Sequence, residues 1–203
     1  MRIRKHTNPL NIRHELSPVN LENIFPNPDN PLYVDIGFAQ GEFMFKLAEH
    51  NPEINIIGLE ARKTLALKAQ NLISKNNIPN LHALYASSAN HLLLLPDNSI
   101  DKVFIFFPDP WFKKKHHKRR VISKKFLQEI PQKLKQNNSM LFQSDVKELY
   151  LDTLELLENT DSVEIILNEN GVTYQNKIGI TSYYEQKCLE NDWSIYRIEV
   201  SIK

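Results

Sequence analysis

The chain has 203 residues, 41% hydrophobic and 24% charged, proportions ordinary for a globular protein and sufficient for one buried core. A single cysteine, Cys188, excludes a disulfide scaffold, and the longest apolar runs, Leu92 to Leu95 and Val103 to Phe107, fall far short of the roughly 20 residues that span a bilayer. The composition therefore predicts a soluble, cytoplasmic protein with no membrane segment and no secretory leader.

The net charge of +1 hides an uneven distribution. Residues 113–125, KKKHHKRRVISKK, hold eight Lys/Arg and no acid, which leaves −7 on the rest of the chain. So dense a cationic strip suits a polyanion, because affinity for nucleic acid grows with the number of phosphates neutralised. Taken alone, such a run is more often a solvated loop.

In chain order, residues 1–30 open with MRIRKHTNPLNIRH, four Lys/Arg and no acid, and close on a Pro/Asn-rich stretch. They read as a basic N-terminal arm and linker ahead of a domain over residues 31–203. LYVDI predicts a strand, GEFMFKLAEH a helix with Phe43, Met44, Leu47 and Ala48 on one face, and INIIGLE a second strand. ARKTLALKAQNLISK predicts a helix with Leu65, Ala66, Ala69, Leu72 and Ile73 inward. LHALYA, DKVFIFF, SMLFQSD, VEIIL and SIYRIEVSI read as further strands. Between them fall one helix capped by Ser123 and another with Val146, Leu149, Tyr150, Thr153 and Leu157 on its face. Strands separated by helices predict an α/β fold with a parallel, doubly wound sheet, whose ligands bind beyond the carboxyl ends of the strands.

The strand ends carry the chemistry. After the first comes Asp35-Ile36-Gly37-Phe38-Ala39-Gln40-Gly41-Glu42, a glycine turn that brings backbone close to a ligand at a helix N-terminus. A dinucleotide fingerprint read from Gly37 needs a small residue where Glu42 stands, and that carboxylate repels a pyrophosphate. The turn thus favours a cationic or neutral ligand such as S-adenosylmethionine (SAM) over a dehydrogenase cofactor. Glu60 ends the second strand, 19 residues beyond Gly41, where a carboxylate can accept both hydroxyls of an adenosine ribose. After the third strand, Ser88-Ala89-Asn90 offers a small side chain and backbone N–H groups to an adenine edge, or a plain helix cap. The fourth strand ends Phe106-Phe107-Pro108-Asp109-Pro110-Trp111-Phe112-Lys113, an acid held still between two prolines with the basic strip directly after it.

FFPDPWFKKKHHKRR, together with DIGFAQG, GLE, QSD at 143–145 and a late T-S-Y-Y-E, resembles the bacterial single-chain tRNA (guanine-N7-)-methyltransferases, from about Arg2 onward. The resemblance implies a Rossmann-like class I methyltransferase fold: a mostly parallel seven-stranded sheet, helices on both faces and an antiparallel C-terminal strand. It implies SAM as cofactor and N7-methylguanosine in the tRNA variable loop as product. Carried over by motif, Asp35, Glu60, Ser88 and Asp109 fall at SAM-site positions beside Gly37, Gly41 and Ala89, with Asp109 also the catalytic residue. Lys113, Asp145 and the segment from Thr181 or Ser182 to Glu185 fall at substrate positions. Three departures stand out. Ala39 replaces the middle glycine, which a negative φ would tolerate; Ser88 stands where Asn or Asp is usual; and Ser182, three residues before Glu185, is preferred to Thr181 as the hydroxyl.

Guanine N7 carries no proton, so its lone pair can attack the methyl group without a general base. Asp109 is then expected to orient guanine and offset the charge formed on its ring. Lys114, Lys115, Lys118, Arg119 and Arg120 are expected on tRNA phosphates with Lys113, and Asp145 and Glu185 on guanine or ribose donors. His116 and His117 lack further ligands at metal spacing, so no metal is expected. No obligate protein partner is implied, whether the chain is a monomer or a homodimer. The residues by themselves also fit a SAM enzyme for another RNA position or a small molecule, or a non-enzymatic RNA-binding protein.

Overall fold

The apolar runs form one seven-stranded sheet. The computed structural model describes residues 8–12, 17–86 and 92–203. Its strands are β1 (Leu32–Ile36), β2 (Asn55–Glu60), β3 (Leu81–Tyr85), β4 (Ile100–Phe106), β5 (Leu134–Ser144), β6 (Val163–Val172) and β7 (Ile195–Ile202). The α-helices are α1 (Glu42–His50), α2 (Lys63–Asn76), α3 (Lys124–Lys133), α4 (Lys147–Glu158) and α5 (Tyr183–Glu190). The strand order is β3-β2-β1-β4-β5-β7-β6. β1 to β5 pair in parallel, and β7 is antiparallel to both its neighbours. Among the described residues no helix is long and apolar enough to cross a membrane.

Strand alternation sends side chains to two cores. Val34, Ile57, Val103, Ile105, Phe142 and Val200 face α3 and α4, where Phe126, Ile130, Leu149 and Leu157 cover them. Ile56, Phe104 and Leu141 face α1 and α2, where Phe43, Met44, Leu47, Ala66 and Ala69 lie. Each large side chain so buried stabilises the fold by about 1.5–3 kcal/mol. The predicted inward face of α2 is narrower than its sequence suggests: only Ala66 and Ala69 are fully buried, and Leu65, Leu72 and Ile73 are half covered. Ser123 caps α3 as expected, its side chain accepting from the Phe126 N–H.

Gly58 lets β2 and α1 meet closely. A Cβ there would lie 2.5 Å from Met44 Sδ and 2.6 Å from a Phe38 ring carbon. The stretch read as linker packs against the domain: Phe25 enters the core that α3 and α4 cover, and the Val19 N–H donates to Leu94 O.

Candidate active site at the carboxyl ends of the strands

The strand order reverses at β1, which has β2 on one side and β4 on the other. A cleft of about 590 Å³ opens there, lined by the ends of all three strands and by the start of α5, the placement expected of a ligand site in a doubly wound sheet. It brings Asp35, Gly37, Glu60, Asp109, Arg119 and Ser182 together. Ser88 and Ala89, expected on adenine, lie outside the described residues.

In the turn after β1, Gly37 and Gly41 adopt φ of +81° and +86°, and so does Ala39 at +54°. The condition under which the Ala39 methyl group is tolerated, a negative φ, is therefore not met: it is carried in the left-handed region, at a cost of about 1 kcal/mol or more. What holds it there is Glu60, whose Oε2 accepts the Ala39 N–H at 2.9 Å. The same carboxylate accepts from the Arg62 backbone N–H at 2.8 Å and from Arg62 Nε and Nη2, each at 3.0 Å. Next to it, Asp35 is buried, and desolvation followed by the charge of Glu60 pushes its pKa up to about 8. Two adjacent buried acids make this end of the cleft a place for a cation.

The loop after β4 is strained on both sides of its acid. Phe107 and Trp111 hold φ of +50° and +46°, conformations that bulky residues adopt only where their surroundings enforce them. Phe107 donates its N–H to Gln143 O at 2.7 Å and buries its ring with Cys188 and Ile195. Arg119 lies over the Trp111 ring, 4.9 Å from its centroid, and His116 meets that ring edge-on at 5.8 Å. Asp109 is thereby anchored from α5 on one side and from the basic strip on the other.

The strip begins as the short 3-10 segment Lys114–Arg119. Lys113, Lys114, Lys115 and Lys118 are exposed. Burial, then the charges of Arg119, Lys115, Lys113 and Lys118, lower the His116 pKa below the ordinary imidazole value. Arg120 is a correction to the expected phosphate contacts. It is buried, donates from Nε to Pro110 O at 2.9 Å and pairs with Asp152 at 2.6 Å, so it clamps the Pro-Asp-Pro loop to α4.

Glu185 is also corrected. It has no exposure, and its two oxygens accept from the Asn176 N–H, Asn176 Nδ2, Arg197 Nη2 and Gln143 Nε2. A carboxylate so surrounded has no acceptor site left for guanine or ribose. Its work is to hold Arg197, which is itself 1% exposed and also bonded to Gln143, Glu169 and Tyr174 O. Ser182 caps α5, accepting from the Glu185 N–H at 3.3 Å, while the Thr181 hydroxyl bonds Gln186. Asp145 is half-buried, and neither it nor Thr181 is among the residues lining the cleft. Tyr183 and Tyr184, within the segment expected on the substrate, do line it, as does Arg62, which was not singled out from sequence.

A family model described as "Putative methyltransferase" matches residues 29–198. A curated tRNA (guanine-N(7)-)-methyltransferase of Synechococcus sp. (strain JA-2-3B'a(2-13)) is 31% identical over 202 residues, spanning 97% of this chain and 82% of its own. Another, from Trichormus variabilis, is 38% identical over 153 residues, 72% of this chain and 71% of its own. The chain belongs to the tRNA (guanine-N(7)-)-methyltransferase family. Among solved structures, the 16S rRNA methyltransferase KamB aligns with a TM-score of 0.63 at 14% identity over 90% of this chain and 91% of that one. A SAM-dependent methyltransferase from Aquifex aeolicus aligns at 0.59 and 13% identity, over 85% and 82%. These place the fold in class I.

The methyltransferase cleft fits the SAM of this class on its own chemistry. A positive charge arriving beside Asp35 would offset the burial and the Glu60 charge that keep it protonated, and the cleft face of Gly37 is open, since a Cβ there would touch nothing within 4 Å.

Proposed function

We propose that this chain transfers the methyl group of SAM to N7 of a guanosine in the variable loop of tRNA. SAM, when bound, supplies an electrophilic methyl carbon on a sulfonium leaving group. The observation that carries the reading is the juxtaposition, in one cleft, of the buried acids Asp35 and Glu60 with the braced Asp109 and the basic strip behind it. Asp35 and Glu60 hold the cofactor, Glu60 through the ribose hydroxyls.

Asp109 faces the guanine. It accepts from guanine N–H groups, aligns the N7 lone pair with the methyl carbon, and offsets the positive charge left on the imidazole ring. N7 forms the new C–N bond while the C–S bond breaks toward sulfur, and no proton moves. Lys113, Lys114, Lys115, Lys118 and Arg119 meet tRNA phosphates and set register, and Ser182 presents the start of α5 to the substrate. Asp145 and the Thr181 hydroxyl, which do not line the cleft, meet the substrate from outside its wall. One chain supplies all these groups, as a cytoplasmic monomer or homodimer with no obligate protein partner.

The test is transfer from methyl-labelled SAM to tRNA transcripts, with the product nucleoside identified after digestion. Label should appear as 7-methylguanosine and vanish when the variable-loop guanosine is replaced by adenosine. Label in another nucleoside, or label undiminished by that replacement, overturns the reading.

A further inference from the structure

Glu60 is fully occupied before any ligand arrives. A carboxylate offers about four lone-pair sites. Here Oε2 takes the Ala39 N–H and Arg62 Nη2, and Oε1 takes the Arg62 N–H and Arg62 Nε. Two of these donors are backbone groups fixed by the glycine turn and by the entry to α2. The other two belong to a single guanidinium whose side chain is 37% exposed. Two ribose hydroxyls need two acceptor sites, and only the guanidinium can surrender two at once. The replacement is one fork for another, so the carboxylate loses no hydrogen bond, and the guanidinium, already partly in water, has solvent to turn to when it leaves.

The displaced cation stays at the mouth of the cleft. Arg62 lines that cleft beside Asp109 and Tyr184, and Arg119 is the only other cationic side chain on its wall among the described residues. Burial works against the charge of Arg62, but the hydrogen bonds and charge of Glu60, then the charges of Asp109 and Tyr184, outweigh it and hold the group above its ordinary pKa. Its charge is therefore permanent, and once Glu60 turns to the ribose it lacks its former counter-charge at the point where the target nucleotide must enter.

We propose that Arg62 couples cofactor to tRNA: ribose hydroxyls displace its guanidinium from Glu60, and the released guanidinium binds a phosphate of the nucleotide entering the cleft. The proposal rests on Glu60 holding the ribose. The filled enzyme then grips tRNA more tightly than the empty one, and by reciprocity tRNA tightens the cofactor by the same factor. An Arg is suited to both partners because its planar fork matches carboxylate and phosphate alike.

S-adenosylhomocysteine serves as an unreactive probe. Its affinity is measured by calorimetry with and without tRNA, and tRNA affinity by filter binding with and without the probe. The wild type should show mutual tightening of about fivefold or more. Arg62→Ala should bind the probe at least as well as wild type in the absence of tRNA, with the coupling reduced to near one. Arg62→Lys, which keeps the charge without the fork, should retain only part of the coupling. Weaker probe binding by Arg62→Ala, or undiminished coupling, overturns the proposal. Glu60→Ala separates the two premises. A loss of probe affinity of tenfold or more upholds the ribose reading, so that persistent coupling in Arg62→Ala then refutes the exchange alone. Unchanged affinity removes the premise itself.

Discussion

Burial changes what Asp35 does with its proton. Its pKa of about 8 lies far above the value near 4 of an unfolded Asp, so the folded chain binds more protons than the unfolded one between those two values. Stability in the ligand-free protein is then fullest below about pH 4 as far as this group is concerned, and falls as pH rises toward 8. Asp35→Asn cannot titrate. Urea unfolding from pH 5 to 8 should show wild type losing stability relative to the variant by up to about 1.4 kcal/mol per pH unit; parallel curves would remove Asp35 from the role of a proton-holding acid. Asp109 makes the opposite kind of demand, on the transition state. Asp109→Asn keeps its shape but loses the charge and presents donors to guanine donors, so single-turnover methylation should fall at least a hundredfold, about 3 kcal/mol in barrier, with tRNA still bound. A near-active variant would refute the electrostatic role. A wild-type rate rising tenfold per unit from pH 6 to 8, abolished in the variant, would make Asp109 a general base instead.

Among the elements, the basic strip makes the most direct prediction. Lys114, Lys115 and Lys118 are exposed and face no acid of their own segment. Replacing all three with Ala should raise the KM for tRNA and lower the slope of log K against log salt by about 0.7–0.9 per lost phosphate contact. Unaltered slope and KM would leave the strip a solvated loop. The strip also illustrates what could be read from sequence. A run of charges announces its density, but nothing in KKKHHKRR says that Arg120 turns inward to Pro110 and Asp152 while its neighbours stay out. The strands were legible because apolar runs bounded by turn residues have few other readings, and α1 because Phe43, Met44, Leu47 and Ala48 recur at helical spacing. The helix α5 was not. Its fully buried side chains are Glu185 and Cys188 alone, so its apolar face, Tyr184, Cys188 and Leu189, is narrow, and the polar network with β7 that helps to place it is encoded by no local pattern. The acids of the cleft were visible as strand-end residues. Arg62 was not, because a cation beside a carboxylate at a helix start looks like any surface pair.

At the scale of the whole molecule, the Arg197 network ties α5, β5, β6 and β7 together through Glu185, Gln143 and Glu169. Removing Glu185 leaves the buried Arg197 with Glu169 as its remaining counter-charge and takes the acceptor from the Asn176 N–H, which costs about 3 kcal/mol. For a domain of this size that corresponds to a drop in Tm on the order of 10 °C. Glu185→Ala should therefore melt well below wild type, while the fraction still folded at low temperature binds S-adenosylhomocysteine and tRNA normally. A variant with wild-type Tm and weakened tRNA binding would return Glu185 to the substrate. β7 also has a consequence for biosynthesis. It is the last strand in chain order, yet it lies between β5 and β6 and pairs with both. A nascent polypeptide that has left the ribosome only as far as α5 holds two strands with unsatisfied edges facing a gap, and Arg197 has not yet arrived to meet Glu185. Such edges invite pairing with other chains. The interval between emergence of α5 and of β7 is therefore when this protein is most exposed to misassembly, and a pause in translation there would lengthen it.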